Sequence, residues 1–168
     1  MKNIGVKSFL AIFCVLALTG FAVRADNEDL VLKAKLTGFE EVPSHLTNGN
    51  GTFHATVSGG TISFTLTFAD LTATAVASHI HFAQRAVSGG IFAFLCGGGG
   101  KPACPPSGGT VTGTITAADI LALPAQGLVA GDFAGALRAI RSGNTYVNVH
   151  STTFPAGEIR GQVRAEED

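Results

Sequence analysis

The sequence has no tryptophan, one tyrosine and one methionine, and only 14% of its 168 residues are charged. Its 11 Lys and Arg residues nearly balance 12 Asp and Glu residues and form no basic patch or stripe, which argues against nucleic-acid binding. No Ser/His/Asp set or paired-carboxylate site is recognisable from spacing. The glycine run Gly97–Gly100 is not a phosphate-binding loop, because it is not followed by Lys-Ser or Lys-Thr. The sequence therefore excludes several common enzyme classes.

Long apolar runs are also scarce, and the one that is present lies at the N-terminus. Lys2 and Lys7 precede or flank an apolar stretch that ends near Thr19, and small residues follow it up to Ala25. This layout is typical of a signal peptide, and the apolar stretch is shorter than the roughly 20 residues that span a bilayer as a helix. We expect a signal peptide over residues 1–25 and an exported, periplasmic or extracellular protein without a membrane span.

The remaining residues, 26–168, have the size of one domain. Two cysteines follow the predicted signal peptide, Cys96 and Cys104, with a glycine-rich segment between them. A local disulfide is the natural interpretation in an exported chain, and it would stabilise the fold by about 2 kcal/mol because the loop is short. The alternative is a pair of thiolate metal ligands, which an oxidising compartment disfavours.

Short β-prone runs separated by Gly, Asn and Ser dominate residues 26–168 and predict a sandwich or barrel. In Thr61–Phe68, for example, Ile62, Phe64, Leu66 and Phe68 share one face and Thr or Ser residues share the other. The predicted strands are 30–36, 52–57, 61–68, 75–82, 90–95, 110–116, 145–150 and 158–164. Two short helical insertions are predicted at 117–121 and 132–140.

Histidines on two of these strands are the best candidates for chemistry. His79 and His81 are two residues apart, so both project from one strand face, and His150 ends a similar alternation. Three imidazoles would converge if the two strands pair, and such a set suits copper, zinc or iron with an open coordination position. His54 is a possible fourth ligand. The alternative is that these histidines are solvated, or hydrogen-bonded to a carboxylate such as Glu41.

Arg160 shares a predicted strand face with Glu158 and Gln162. One interpretation is an internal ion pair of Arg160 with Glu40, Glu41 or Glu158. The functional alternative is that Arg160 attracts an anion.

Four segments together resemble the CHRD (chordin-type) domain. They are Leu36–Pro43, Ala77–His81, Gly143–Ser151 and Pro155–Gln162, and they occur in the order of that family. The resemblance runs from about Leu32 to Arg164, with Ser44 where a second Pro is common and Ser151 where Thr is common. It implies an all-β domain of exported proteins and does not by itself establish an enzyme.

A weaker resemblance links the segment from Gly60 to Phe82, and the late strand ending at His150, to the copper/zinc superoxide dismutases. It implies a Greek-key sandwich with His79, His81 and His150 as copper ligands and Arg160 as the anion-guiding arginine. The zinc site of those enzymes is not recognisable, so the implied site is copper-only. The fold expected overall is an all-β, antiparallel, Greek-key-like β-sandwich with one or two short helical insertions.

Three functional hypotheses follow. The first is an exported copper protein that disproportionates superoxide, and the second is a copper storage or delivery protein with the same site. The third is a non-catalytic extracellular interaction or structural module, in which the histidines only stabilise a strand. Whether the chain is an enzyme, and its oligomeric state, are open at this point.

Overall fold

Alternating apolar and polar residues build a single antiparallel sheet in the computed structural model, which describes residues 30–166. The predicted signal peptide, residues 1–25, lies outside the described residues. The strands are β1 (Leu30–Thr37), β2 (Asn50–Ser58), β3 (Thr61–Ala69), β4 (Ala75–Phe82), β5 (Gly90–Cys96), β6 (Gly109–Ile115), β7 (Thr145–Ser151), β8 (Ile159–Gln162) and β9 (Arg164–Glu166). One α-helix, α1 (Phe133–Arg141), and 3₁₀ turns at Gly38–Glu40, Ala117–Asp119 and Pro124–Gln126 complete the described elements.

The strand order across the sheet is β5-β4-β7-β8-β1-β2-β3-β6, with β9 also pairing with β1. The non-sequential neighbours β4 with β7 and β3 with β6 are of the kind that Greek-key connections produce. The two end strands, β5 and β6, approach each other and nearly close the sheet into a barrel. The predicted antiparallel all-β fold with a short helix is therefore confirmed.

The core fills the interior of this nearly closed barrel with the apolar residues of the alternating strands. Its largest fully buried side chains are Phe53, Phe68, Phe92, Leu32, Leu36, Ile62, Leu66, Ile80, Leu95, Ile115, Ile140 and Ile159. Helix α1 begins after Asp132, whose carboxylate accepts a hydrogen bond of 2.8 Å from the Gly135 backbone N–H. The helix packs Ala136 and Ile140 against the core.

Most strand ends and the α1 ends shift by one or two residues from the predicted bounds, and two predicted elements differ in kind. The predicted last strand, 158–164, is divided at Val163, whose backbone N–H donates to the carbonyl of Thr145, so β8 and β9 pair with different parts of β1. The predicted helix at 117–121 is a single 3₁₀ turn, Ala117–Asp119, in which Asp119 accepts from the backbone and side chain of Thr116. Neither difference alters which face each strand presents to the core.

A disulfide joins Cys96 at the end of β5 to Cys104, with an S–S distance of 1.99 Å. Both cysteines are buried, and they lie where β5 leads into the connection to β6. The bridge therefore closes a short loop beside the gap between the two end strands. No helix within residues 30–166 is long and apolar enough to span a membrane.

Replacing both cysteines by alanine should lower the free energy of unfolding by about 2 kcal/mol and leave the fold intact, because the bridge closes only a short loop. Urea unfolding followed by circular dichroism measures the loss. A reducing agent should destabilise the wild type by a similar amount and leave the Cys96→Ala/Cys104→Ala variant unchanged. An equal midpoint for the wild type and the variant would contradict the expectation.

Candidate metal centre

Antiparallel pairing of β4 with β7 brings the predicted histidines together. In this register His79 lies opposite Asn148, His81 opposite Tyr146, and Ala77 opposite His150. The intervening residues of both strands, such as Ile80 and Val147, point into the barrel core. Because side chains alternate along a strand, the histidines project from the outer face of the barrel.

His79, His81 and His150 form a compact group, called here the three-His cluster. One ring nitrogen from each lies within 4.8 Å of the others, and Nδ1 of His79 is 2.9 Å from Nε2 of His150. Their exposed fractions are only 6–7%, although they lie outside the apolar core. Since metal–imidazole bonds are about 2.0 Å long, nitrogens that bind one ion lie within about 4 Å of one another, so the rings would draw slightly closer around a metal ion.

Backbone carbonyls fix the tautomers of two of the rings. His81 Nδ1–H donates to the carbonyl of Gly89 at 3.0 Å, and His150 Nδ1–H donates to the carbonyl of Pro155 at 3.1 Å. A carbonyl only accepts, so the proton is on Nδ1 and the Nε2 atom of each neutral ring carries a lone pair. Metal-binding histidines are commonly oriented by this arrangement.

Asn148 adds a further acceptor between these nitrogens. Its Oδ1 lies 3.0 Å from Nε2 of His81 and 2.9 Å from Nε2 of His150. The other end of the amide faces the carboxyl group of Glu41, which favours this orientation of the side chain. Three acceptor atoms thus face one another: Oδ1 of Asn148 and the Nε2 atoms of His81 and His150. If all rings are neutral, only Nδ1 of His79, 2.9 Å from Nε2 of His150, can carry a proton that points at this group. A cation would satisfy all of these lone pairs together.

Aromatic rings wall the cluster on two sides. Phe94, opposite His79 on β5, packs against the His79 ring at 4.5 Å in an edge-on geometry. Tyr146 stacks on His81 with 4.6 Å between ring centroids and an interplanar angle of 7°. The guanidinium carbon of Arg160 lies 3.4 Å from the centre of the Tyr146 ring. These contacts hold two of the imidazoles in place.

The glycine run inside the disulfide loop has a packing role at this site. A Cβ atom at Gly98 would come within 2.5 Å of the Phe94 ring, and one at Gly99 within 2.7 Å. Gly99 also has a positive φ of 57°. Only glycine allows this backbone to lie against the ring that in turn contacts His79.

Burial keeps the imidazoles neutral. It lowers the pKa of His79 to about 3, with smaller contributions from the neighbouring His150 and His81. Burial also lowers the pKa of His81 to about 4, against the opposing effect of the hydrogen bond to Gly89. The pKa of His150 is lowered by burial too. Near neutral pH the cluster therefore holds no protonated ring that a metal ion would have to displace.

Two buried carboxylates support the loops around the cluster. Glu41 is 8% exposed, and burial raises its pKa to about 7 even though the charge of Arg160 opposes the shift. Gly157, with φ of 132°, makes room for it, because a Cβ atom there would lie 2.5 Å from Oε1 of Glu41 and 2.7 Å from Nδ2 of Asn148. The carboxyl of Glu41 thus lies next to the amide that faces the histidines.

Glu158 is fully buried and joins three separate segments of the chain. Its Oε1 accepts from the hydroxyl of Thr47 at 2.6 Å and from the backbone N–H and hydroxyl of Thr72 at 2.7 and 2.8 Å, and its Oε2 accepts from Ser151 at 2.5 Å. Burial opposes ionisation, but these hydrogen bonds outweigh it and lower the pKa of Glu158. The network fixes the end of β7, next to His150.

The remaining predicted residues have different positions. His54 is exposed on β2 and is not part of the three-His cluster. Arg160 is only 2% exposed, and its Nη2 donates to the carbonyls of Gln84 and Val87. Within residues 30–166 it forms no ion pair with a carboxylate, and Glu40 pairs with Arg85 instead. Anion guidance by Arg160 stays a prediction.

Sequence reasoning did not identify Asn148, Phe94 or the two accepting carbonyls as parts of the site. The alternation that groups Tyr146, Asn148 and His150 on one face contained the signal for Asn148. No side-chain pattern could have pointed to the carbonyls of Gly89 and Pro155, because any residue supplies a carbonyl. The position of Phe94 opposite His79 depends on strand pairing that the sequence alone does not give.

The fold and the site define an antiparallel β protein with a buried three-His cluster that could bind a metal ion. The chain matches the CHRD domain over residues 32–163, most of its length, and it belongs to the CHRD family. No curated protein and no solved structure is a match for this chain. The resemblance found in the sequence motifs is thereby confirmed, and the role of the cluster has to be argued from its geometry.

The stability of the metal-free protein should fall as the pH drops below about 6.5. Unfolded histidines bind protons near that pH, whereas the folded cluster resists protonation down to about pH 4 for His81 and about pH 3 for His79. Each such histidine lowers the free energy of unfolding by about 1.4 kcal/mol per pH unit in this window. Urea unfolding at pH 7, 6 and 5 measures the slope.

Replacement of His79 by glutamine should reduce that slope by the contribution of one histidine, about 1.4 kcal/mol per pH unit. The matched control is a His54→Gln variant, which removes an exposed histidine and leaves the three-His cluster in place. A flat profile between pH 7 and pH 5, or equal slopes for both variants, would show that the cluster is not held neutral.

Proposed function

We propose that this CHRD-family protein is exported and binds one copper ion through His79, His81 and His150. The proposal of export rests on the predicted signal peptide, and the Cys96–Cys104 disulfide supports it because such bonds persist in oxidising compartments. On the same reasoning, residues 26–168 form the mature, single-domain protein.

The observation that carries the metal proposal is the meeting of lone pairs in the three-His cluster. The Nδ1–H groups of His81 and His150 donate to backbone carbonyls, so their Nε2 atoms carry no proton. Both Nε2 atoms face Oδ1 of Asn148, which is also an acceptor. Buried acceptors without donors are costly in a folded protein. A metal ion coordinated by the three imidazoles removes this cost, and the tautomers of His81 and His150 already leave Nε2 free to coordinate.

Copper is the metal that this donor set favours. Imidazole nitrogen suits several transition metals, but for one set of nitrogen ligands the affinity for Cu²⁺ exceeds that for Zn²⁺. The two cysteines are joined in the disulfide, so within the described residues the site gains no thiolate that would favour a closed zinc centre. Three imidazoles leave a coordination position for a small ligand.

Superoxide disproportionation is the reaction that the weaker resemblance implies, and it converts two superoxide ions and two protons to oxygen and hydrogen peroxide. A bound copper ion would supply the one-electron redox chemistry. The chain's own residues would orient the ligands, since Tyr146 and Phe94 pack on two of the rings and Glu158 fixes the end of β7. Each histidine is only 6–7% exposed, which favours a small molecule such as superoxide over a large substrate.

Copper binding can be followed through Tyr146, because the chain has a single tyrosine and no tryptophan. Its ring stacks on His81, so Cu²⁺ at the cluster should quench the intrinsic fluorescence with saturation at one equivalent. Electron paramagnetic resonance of the same sample should show nitrogen hyperfine structure. Zn²⁺ added first should be displaced by copper, as the affinity order requires.

The His79→Ala/His81→Ala/His150→Ala variant should lose saturable quenching, and a His54→Ala variant should keep it. His54 is a suitable control because it is exposed on β2 and lies outside the cluster. Equal, weak quenching of all three proteins would refute the copper site. It would leave a CHRD domain that acts through its surface.

A superoxide assay on the copper-loaded protein separates the enzyme from a carrier. If the site turns over, the wild type and the His54→Ala variant should show equal activity, and the triple variant should show none above free buffer. Stoichiometric copper binding without any activity would favour storage or delivery over catalysis, while the metal site itself would stand.

A further inference from the structure

A groove of about 550 Å³ lies on the outer surface of the barrel, on the same face as the three-His cluster. It is called here the basic groove. It is lined by Lys33, Ala34, Lys35, Thr37, Glu40, Thr52, His54, Arg85, Gln162, Arg164 and Glu166. These residues come mainly from β1, β2, β8 and β9, and the metal-site residues do not line it.

The groove and the cluster share one continuous face of the sheet. Tyr146 and Asn148 on β7 lie opposite Gln162 and Arg160 on β8, and Arg160 lies opposite Thr37 on β1. Outward-facing residues therefore run without interruption from β4 across to β2. A long ligand in the groove would lie beside the histidines.

Positive charge dominates the groove. Four cationic side chains line it against the carboxylates of Glu40 and Glu166. Both carboxylates are already paired, Glu40 with Arg85 and Glu166 with Lys33 at 2.5 Å. Lys35 and Arg164 are exposed, and within residues 30–166 neither forms an ion pair.

The strand register places Lys33 between two other residues that line the groove. Lys33 on β1 lies opposite Arg164 on β9, and on its other side it lies opposite His54 on β2. Like charges on directly opposed positions destabilise a sheet. Because Lys33 pairs with Glu166, this opposition is offset, and Arg164 is the cation of the pair that an anionic ligand can contact.

The remaining lining shows what kind of anion fits. Thr37, Thr52 and Gln162 offer neutral hydrogen-bonding groups, and Ala34 is the one apolar residue among those that line the groove. Such a surface suits a hydrated, polar ligand rather than an apolar peptide or a lipid. From strand geometry the Cα atoms of Lys35 and Arg164 are about 8 Å apart. Because the two charges lie on separate strands, a chain with repeated anionic groups can contact both of them.

We propose that the basic groove binds an anionic polysaccharide that carries sulfate or carboxylate groups. The binding site is separate from the metal centre, and the inference does not depend on copper. Its charged contacts are those of Lys35 and Arg164, and the threonines and Gln162 contact hydroxyl groups of the sugar.

The test uses the purified protein and a fluorescein-labelled heparin hexasaccharide, with binding measured by anisotropy at low salt. A Lys35→Gln/Arg164→Gln variant should bind about tenfold or more weakly, and its salt dependence should be shallower because two ionic contacts are lost. The matched control is Arg138→Gln/Arg141→Gln, which removes the same charge from the exposed face of α1. It should stay within about twofold of the wild type.

Because all four residues are exposed, both variants should keep the wild-type thermal midpoint. Unlabelled alginate should compete with the probe, whereas inorganic sulfate at equal charge should not. Three results would overturn the proposal: no binding by the wild type, equal losses in both variants, or stronger competition by a poly-glutamate peptide than by either polysaccharide. Copper loading should leave all of these values unchanged, so failure here is distinguishable from failure of the metal site.

Discussion

The antiparallel register between β4 and β7 is the constraint on which the site depends. It places His79 opposite Asn148 and keeps His81 and His150 on the same outer face, while Ile80 and Val147 face the core. A slip of one residue would send the histidines into the barrel and the apolar residues outward. The free energy of the apolar core therefore holds the metal-site geometry in place, although no core residue touches the histidines through a polar contact.

The second constraint comes from the connections between strands. Loops after β4 and β7 provide the carbonyls of Gly89 and Pro155, which set the protons on two rings. The network around Glu158 and the close packing at Gly157 hold the loop after β7, and Arg160 donates to two carbonyls of the loop after β4. Strand pairing thus determines which side chains meet, and the loop carbonyls determine which nitrogen of His81 and His150 is free to coordinate.

The sequence predicted the fold because alternation in segments such as Thr61–Phe68 is decided by burial alone. The same alternation put His79 and His81 on one face. The alternation could not show that these histidines are buried, because a strand face covered by loops has the same two-residue sequence pattern as an exposed one. The role of Phe94 and the division of the last strand at Val163 arise from pairing between distant segments, which local patterns do not encode.

The distribution of charge on the outer face bears on the two alternatives for Arg160, an internal partner or a residue that attracts an anion. Arg160 is buried, donates to two carbonyls and covers the ring of Tyr146. Cations that meet solvent are found further along the same face, at Lys35 and Arg164. These exposed cations line the proposed groove, whereas Arg160 does not. Arg160 covers the ring of Tyr146, and that ring stacks on His81. The buried guanidinium therefore helps to hold this stack in place.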